Sequence, residues 1–261
     1  MSARCIALES HGDVAVLRID RPPANAISLE TAREFEVAFA ADAIAQARAL
    51  VITGTGRFFS GGLDLKQIPA YSQTEQRELL GALNRLLAKL YAHPAPVVAA
   101  INGHAVAGGF ILALAVDYRV GPSGAAQFGL TETRLGIPFP AVSMIILHAE
   151  LNPQDVRYGT LYARSFGPDE AQRRGVLDEL HPPDAVLARG LEVARDLVGM
   201  PTGCYGRVKH QLRRAAIAEI DAVLATGAEP MLDGWLAEGV QEAATAVLGG
   251  AAQREKKGTD T

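Results

Sequence analysis

Short apolar runs alternate with amphipathic stretches along the first two-thirds of the chain. Val14-Ala15-Val16-Leu17-Arg18-Ile19, Ala49-Leu50-Val51-Ile52-Thr53-Gly54 and Val97-Val98-Ala99-Ala100-Ile101 are compact, mostly apolar and bounded by turn formers. Runs of that length and composition predict buried strands. Ile6-Ala7-Leu8, separated from Val14 by a turn at His11-Gly12-Asp13, predicts a hairpin partner for the first of them. Elsewhere the period lengthens to that of a helix. Leu79, Leu80, Leu83, Leu86, Leu87 and Leu90 recur at helical spacing and predict a helix over 73–91, ended by Pro94 and Pro96. Ser28 predicts an N-cap, with acidic Glu30 in the first turn that follows. Asp117-Tyr118-Arg119-Val120 predicts a short strand, and 141–150 a helix behind Pro138 and Pro140. From Pro153 to about Leu248 the pattern is helical nearly throughout, apart from 175–179. Strands and helices in alternation, then helices alone, predict an α/β core with a helical appendage. The end of the chain, with Gln253-Arg254-Glu255-Lys256-Lys257, reads as a disordered tail over 251–261.

Two glycine turns interrupt this pattern, each after a predicted strand. One is Phe59-Ser60-Gly61-Gly62-Leu63-Asp64-Leu65-Lys66. The other runs from Asn102 through Gly103, Gly108 and Gly109 into the apolar helix former Phe110-Ile111-Leu112-Ala113-Leu114. A strand, a glycine turn and a buried helix leave backbone N–H groups facing outward, because the first N–H groups of a helix lack internal partners. Phosphate is the first ligand to consider. No Gly-Lys-Ser/Thr follows the glycines, and Gly54-Thr55-Gly56 has Phe59 where a dinucleotide fingerprint needs its third glycine.

Composition narrows the choice further. The net charge of -4 and pI near 5.9 give no reason to expect nucleic acid or an anionic membrane as partner. No apolar run is long enough to span a membrane, and the N-terminal residues lack a signal-peptide core, so a cytoplasmic protein is expected. Cys5 and Cys204 fit a reducing compartment without a disulfide. The six histidines show no His-x-x-x-His spacing, so no metal site is expected. Ser60 lacks the Gly-x-Ser-x-Gly elbow of a nucleophile. His104 lies beside the second turn, where a packed or exposed histidine is the simpler reading.

If both turns face one pocket, each can aim a backbone N–H at the same oxygen and form an oxyanion hole. The remaining requirement is a base. Glu132 is the best candidate, since apolar and proline-bearing residues follow it and such surroundings raise a carboxyl pKa.

The motifs together carry a resemblance. Arg21-Pro-Pro-Ala-Asn-Ala26, Phe59-Ser-Gly-Gly-Leu-Asp-Leu65, Ile101-Asn-Gly-His-Ala-Val-Ala-Gly-Gly109 and Gln127-Phe-Gly-Leu-Thr-Glu-Thr-Arg-Leu-Gly136 resemble the enoyl-CoA hydratase/isomerase (crotonase) superfamily. The likeness covers about residues 5 to 250. It implies a spiral of ββα repeats with an acyl-CoA site over 1–200, and a helical oligomerisation region over 201–250. A homotrimer or a dimer of trimers is implied, acting in fatty-acid metabolism on an acyl-CoA thioester. Coenzyme A is then part of the substrate and no separate cofactor is expected. The oxyanion donors would be the N–H groups of Leu63 and Gly108. Ala24, Ala26 and the segment Ser60, Gly61, Gly62, Asp64, Leu65 and Lys66 would bind the CoA moiety.

One departure from the pattern bears on the reaction. Enoyl-CoA hydratases carry two glutamates, one just after the Gly-Gly turn and one in the segment that holds Glu132. Ile111 stands at the first position. An isoleucine cannot orient water, whereas moving a double bond needs only one base. In this the chain resembles the Δ3,Δ2-enoyl-CoA isomerases, which implies a shift of a 3-enoyl-CoA to a 2-enoyl-CoA by Glu132 alone. The alternatives are hydration, another activity of the superfamily such as decarboxylation or thioester hydrolysis, and acyl-CoA binding without catalysis.

Overall fold

A computed structural model describes residues 4–201, 203–227 and 229. The chain opens with the expected hairpin, β1 (Ile6–His11) and β2 (Val14–Ile19), paired antiparallel. Helix α1 (Leu29–Phe39) starts where Ser28 accepts the Thr31 N–H at 3.2 Å, and a short α2 (Asp42–Gln46) follows. The chain then winds in repeats. Strands β3 (Ala49–Gly54) and β4 (Phe58–Ser60) lead to α3 (Gln73–Tyr91). Strands β5 (Val97–Ala100) and β6 (His104–Val106) lead to α4 (Gly108–Leu114). Strands β7 (Tyr118–Pro122) and β8 (Phe128–Gly129) lead through a 3-10 turn at Glu132–Leu135 to α5 (Ala141–Glu150). The remainder comprises α6 (Pro153–Thr160), β9 (Ser165–Phe166), α7 (Pro168–Arg173), β10 (Glu179–His181), α8 (Val186–Val198) and α9 (Cys204–Thr226).

Each repeat contributes one strand to each of two sheets. The larger has the order β1-β2-β3-β5-β7-β10 and the smaller β4-β6-β8-β9. All neighbours are parallel except β1 with β2 and β8 with β9. The result is a spiral of ββα turns.

Both faces of the large sheet are covered, so its strands read as continuous apolar runs rather than alternating ones. Leu17, Leu50, Ile52 and Ala99 face the main core with α3 and α4, whereas Val16, Val51, Val98 and Val120 pack against Val186, Leu191 and Ala194 of α8. The capping box at Ser72 and Glu75 fixes where α3 begins, and its leucine stripe is buried as the periodicity predicts. Among the described residues, no helix is long and apolar enough to cross a membrane.

Sequence and structure part at the second glycine turn. The residues after Ile101 read as one turn from strand to helix, but a further strand, β6, intervenes, and the helix begins at Gly108 rather than after the glycines. Three residues carry too little periodicity to mark a strand, and glycine disfavours helix only in its interior. Helix α9 packs on α5 and α3 of the core. The rest of the expected oligomerisation region, apart from residue 229, and the tail over 251–261 lie outside the described residues.

Candidate active site

The first glycine turn leaves β4 of the small sheet, and the second leaves β6, its parallel neighbour. Both turns therefore emerge at the same end of the sheet, side by side. A Cβ placed on Gly62 would lie 2.7 Å from the Gly108 nitrogen and 2.8 Å from the Ala107 Cβ. One placed on Gly108 would lie 3.8 Å from the Leu63 nitrogen. Only glycine permits this approach, and Gly62 has φ of +79° besides.

Each candidate donor belongs to a peptide whose carbonyl is held from the opposite side. The Gly62 oxygen accepts the Ile27 N–H at 2.7 Å. In a trans peptide the C=O and N–H point in opposite directions, so the Leu63 N–H is turned away from Ile27. The Ala107 oxygen accepts the N–H groups of Phe110 and Ile111 at 2.9 and 3.3 Å, which closes the first turn of α4. The Gly108 N–H is thereby left at the open end of the helix. Ala107 holds φ of +51° to make this corner, a conformation that costs a non-glycine residue on the order of 1–3 kcal/mol and is typical of functional turns. Neither the Leu63 nor the Gly108 N–H donates to another described residue. Two adjacent free donors are what a developing oxyanion requires.

Strand β8 carries the chain toward the candidate base. The Gly129 oxygen accepts the Ala107 N–H at 2.9 Å, which ties the chain after β8 to the second glycine turn. Glu132 follows three residues later at the head of its 3-10 turn and is 9% exposed. Its Oε2 accepts the Thr131 N–H at 2.7 Å. Burial pushes the carboxyl up to about 7, against the smaller opposing pull of backbone N–H groups. At neutral pH the group is divided between carboxylate and acid, suited to taking a proton and giving it back. Asp64, also buried, has its carboxylate engaged by Arg21 at 2.6 Å and by the Lys66 N–H at 3.0 Å.

With two turns, two free donors and one buried carboxyl in place, the likeness to known proteins becomes decisive. The sequence model described as enoyl-CoA hydratase/isomerase matches residues 9–233. The chain belongs to that family. It is 34% identical over 193 residues to carnitinyl-CoA dehydratase of Escherichia coli, covering 73% of each chain. It is 32% identical over 218 residues to mitochondrial enoyl-CoA delta isomerase 1 of Mus musculus, covering 80% of this chain and 74% of that one. The fold superposes on human mitochondrial delta3-delta2-enoyl-CoA isomerase with a TM-score of 0.88 over 96% of this chain and 99% of that chain, at 24% identity.

Within this family fold, the residues expected to bind CoA fall into two groups. Ala24, Ala26, Gly61, Leu63 and Leu65 are half-buried along the first turn, and Lys66 is exposed at its end. Ser60, Gly62 and Asp64 are buried. Ser60 Oγ donates to the Asn25 oxygen at 2.9 Å and accepts the Gly62 N–H at 3.2 Å, so its hydroxyl shapes the turn. The Ala24 oxygen accepts the Gly61 N–H at 2.8 Å. His104 is packed: its Nδ1 accepts the Gln127 N–H and its ring lies on Phe58, with centroids 4.7 Å apart. Ile111, on the first turn of α4, is 1% exposed and embedded in the main core.

Sequence reasoning missed Ile27, whose N–H holds the Gly62 carbonyl, because backbone contacts across 35 positions leave no local signal. It also missed a buried charge network beneath α4. Asp117 pairs with Lys209 Nζ at 2.7 Å and with Arg213 at 2.9 Å, while Arg213 donates to the Val116 oxygen at 2.7 Å. The chain thus clamps the end of α4 opposite Gly108 from α9. Lys209 and Arg213 sit at helical spacing from apolar residues, which is the only hint that they face inward.

Proposed function

We propose that the protein is an enoyl-CoA isomerase that shifts the double bond of a 3-enoyl-CoA to the 2-position, with Glu132 as sole acid and base. The observation that carries this reading is the pairing of one buried, upward-shifted carboxyl at Glu132 with isoleucine at position 111. The thioester oxygen would sit between the N–H groups of Leu63 and Gly108. Glu132 would remove a proton from C2, the negative charge would pass to the thioester oxygen, and the two N–H groups would stabilise the enolate. The protonated Glu132 would return the proton at C4, so no other reactant is consumed. Ala24, Ala26, the backbone of the Ser60–Lys66 segment and the exposed Lys66 side chain would hold the CoA portion, and the chain would assemble as a trimer or a dimer of trimers.

A second reading follows from the relatives named carnitinyl-CoA dehydratase. Elimination or addition of water needs a group to manage the water oxygen as well as the carbon-bound proton. The apolar side chain at position 111 weighs against it.

The test is solvent exchange. Native protein in deuterated buffer should convert 3-octenoyl-CoA to 2-octenoyl-CoA, with deuterium entering at C4 in those turnovers in which Glu132 exchanges its proton with solvent before returning it, and Glu132→Gln should abolish both isomerisation and exchange while acyl-CoA still binds. Exchange that survives Glu132→Gln would remove Glu132 from its role.

A further inference from the structure

Leu63 owes its orientation to a contact that neither sheet supplies. Ile27 and Leu63 form an isolated parallel bridge, a single pair outside the named strands. It consists of the Ile27 N–H to the Gly62 oxygen at 2.7 Å and the Asp64 N–H to the Ile27 oxygen at 2.9 Å. Toward Ser60 the same two segments are also joined by the Gly61 N–H to the Ala24 oxygen and by Ser60 Oγ to the Asn25 oxygen, but no ladder continues the bridge on its Asp64 side.

The residues flanking the bridge are Ala26 and Asp64, and one side chain binds both. Arg21 Nη1 donates to the Ala26 oxygen at 3.1 Å, and its Nη2 donates to Asp64 Oδ2 at 2.6 Å. The guanidinium fork spans the two chain segments as a staple. Arg21 is anchored in turn, since its own N–H donates to Asn25 Oδ1 at 2.9 Å. Asn25 is fully buried, holds φ of +50°, and donates to the Thr55 and Phe58 oxygens. Asp64 Oδ1 accepts the Lys66 N–H, which fixes the chain beyond the donor.

We propose that Arg21 is a positioning residue: it holds the Ile27–Leu63 bridge in register and thereby aims the Leu63 N–H at the thioester oxygen. The inference deepens the isomerase reading and rests on it for the reaction, though not for the hole itself. The Arg21 and Asp64 side chains are 21% and 10% exposed. A partly solvated pair of this kind adds modestly to global stability. Its removal should therefore show in the site before it shows in the melting temperature. A displacement of about 1 Å in a catalytic group costs on the order of a hundredfold in rate.

The test uses octanoyl-CoA, saturated and carrying a ¹³C thioester carbonyl, because polarisation by the hole lowers its infrared stretching frequency without any reaction. Native protein should shift that band. Arg21→Met and Asp64→Asn should each lose most of the shift, and should lower kcat on 3-octenoyl-CoA about 10- to 100-fold with KM changed less than about threefold. Arg21→Lys, which keeps the charge but not the fork, should fall between. Should Arg21→Met fail to fold, the nearly isosteric Asp64→Asn carries the comparison. A native band shift and kcat in both variants would overturn the inference, as would a parallel fall of affinity, kcat and melting temperature. A native protein that shifts the band but does not isomerise would defeat the isomerase reading and leave the staple standing. No band shift in the native protein would remove hole and staple together.

Discussion

The N–H of Ile27 and the carbonyl of Gly62 meet at 2.7 Å, and this contact turns the next N–H, that of Leu63, away from Ile27. The two donors can be adjacent only because position 62 has no side chain. In Gly62→Ala the added Cβ would lie 2.7 Å from the Gly108 nitrogen, at a φ that alanine resists. Folded Gly62→Ala protein, checked by circular dichroism, should lose about a hundred- to thousandfold in kcat, the value of one oxyanion donor. Activity within about tenfold of native would mean that the hole lies elsewhere.

In the proposed mechanism Glu132 sets the pH profile. Burial brings its carboxyl to about 7, and it must be ionised to take the C2 proton. The kcat/KM for a 3-enoyl-CoA should rise tenfold per pH unit below that value and level off above it. A profile flat from pH 5 to 8 would count against Glu132 as the base.

The same shift has a stability consequence of the opposite sense. The folded carboxyl titrates above its ordinary value of 4.5, so between there and about 7 the folded protein binds more protons than the unfolded chain. The contribution of this carboxyl to stability is therefore full at low pH, falls as pH rises through that window and is constant above it. The loss is on the order of 3 kcal/mol. Glu132→Gln removes the charge, so urea denaturation should show it more stable than native at pH 8 and closer to native at pH 4.5.

Asp117 holds Lys209 and Arg213 with all three side chains 7% exposed. Asp117→Asn would leave two buried cations short of their carboxylate, a change that typically costs about 3–5 kcal/mol. Chemical denaturation should show a loss of that size. A loss below about 1 kcal/mol would mean that water or Glu150, 3.4 Å from Arg213, takes over the charge.

The strands β2, β3 and β5 and the helices α3 and α5 were legible because burial imposes a period on a long enough segment. Strands β6, β8 and β9 were not, since two or three residues cannot display one. The candidate donors Leu63 and Gly108 and the candidate base Glu132 were readable only as members of motifs that resemble the family. What holds them was not. The Ile27 N–H, the Arg21 fork and the Thr131 N–H act through backbone atoms or across the chain, where side-chain identity leaves little trace. Ser60 and Asp64 illustrate the converse: both sit in the motif expected to touch CoA, yet their polar atoms are engaged within the turn.

A single base at Glu132 with no partner at position 111 predicts different fates for two substrates of matched length. Native protein is given 3-octenoyl-CoA and, separately, 2-octenoyl-CoA, with double-bond migration and water addition followed by chromatography. Rapid conversion of the first to the second is expected, with little or no 3-hydroxyacyl-CoA from the second. Efficient hydration with slow isomerisation would contradict it, and would mean that a group other than residue 111 positions the water.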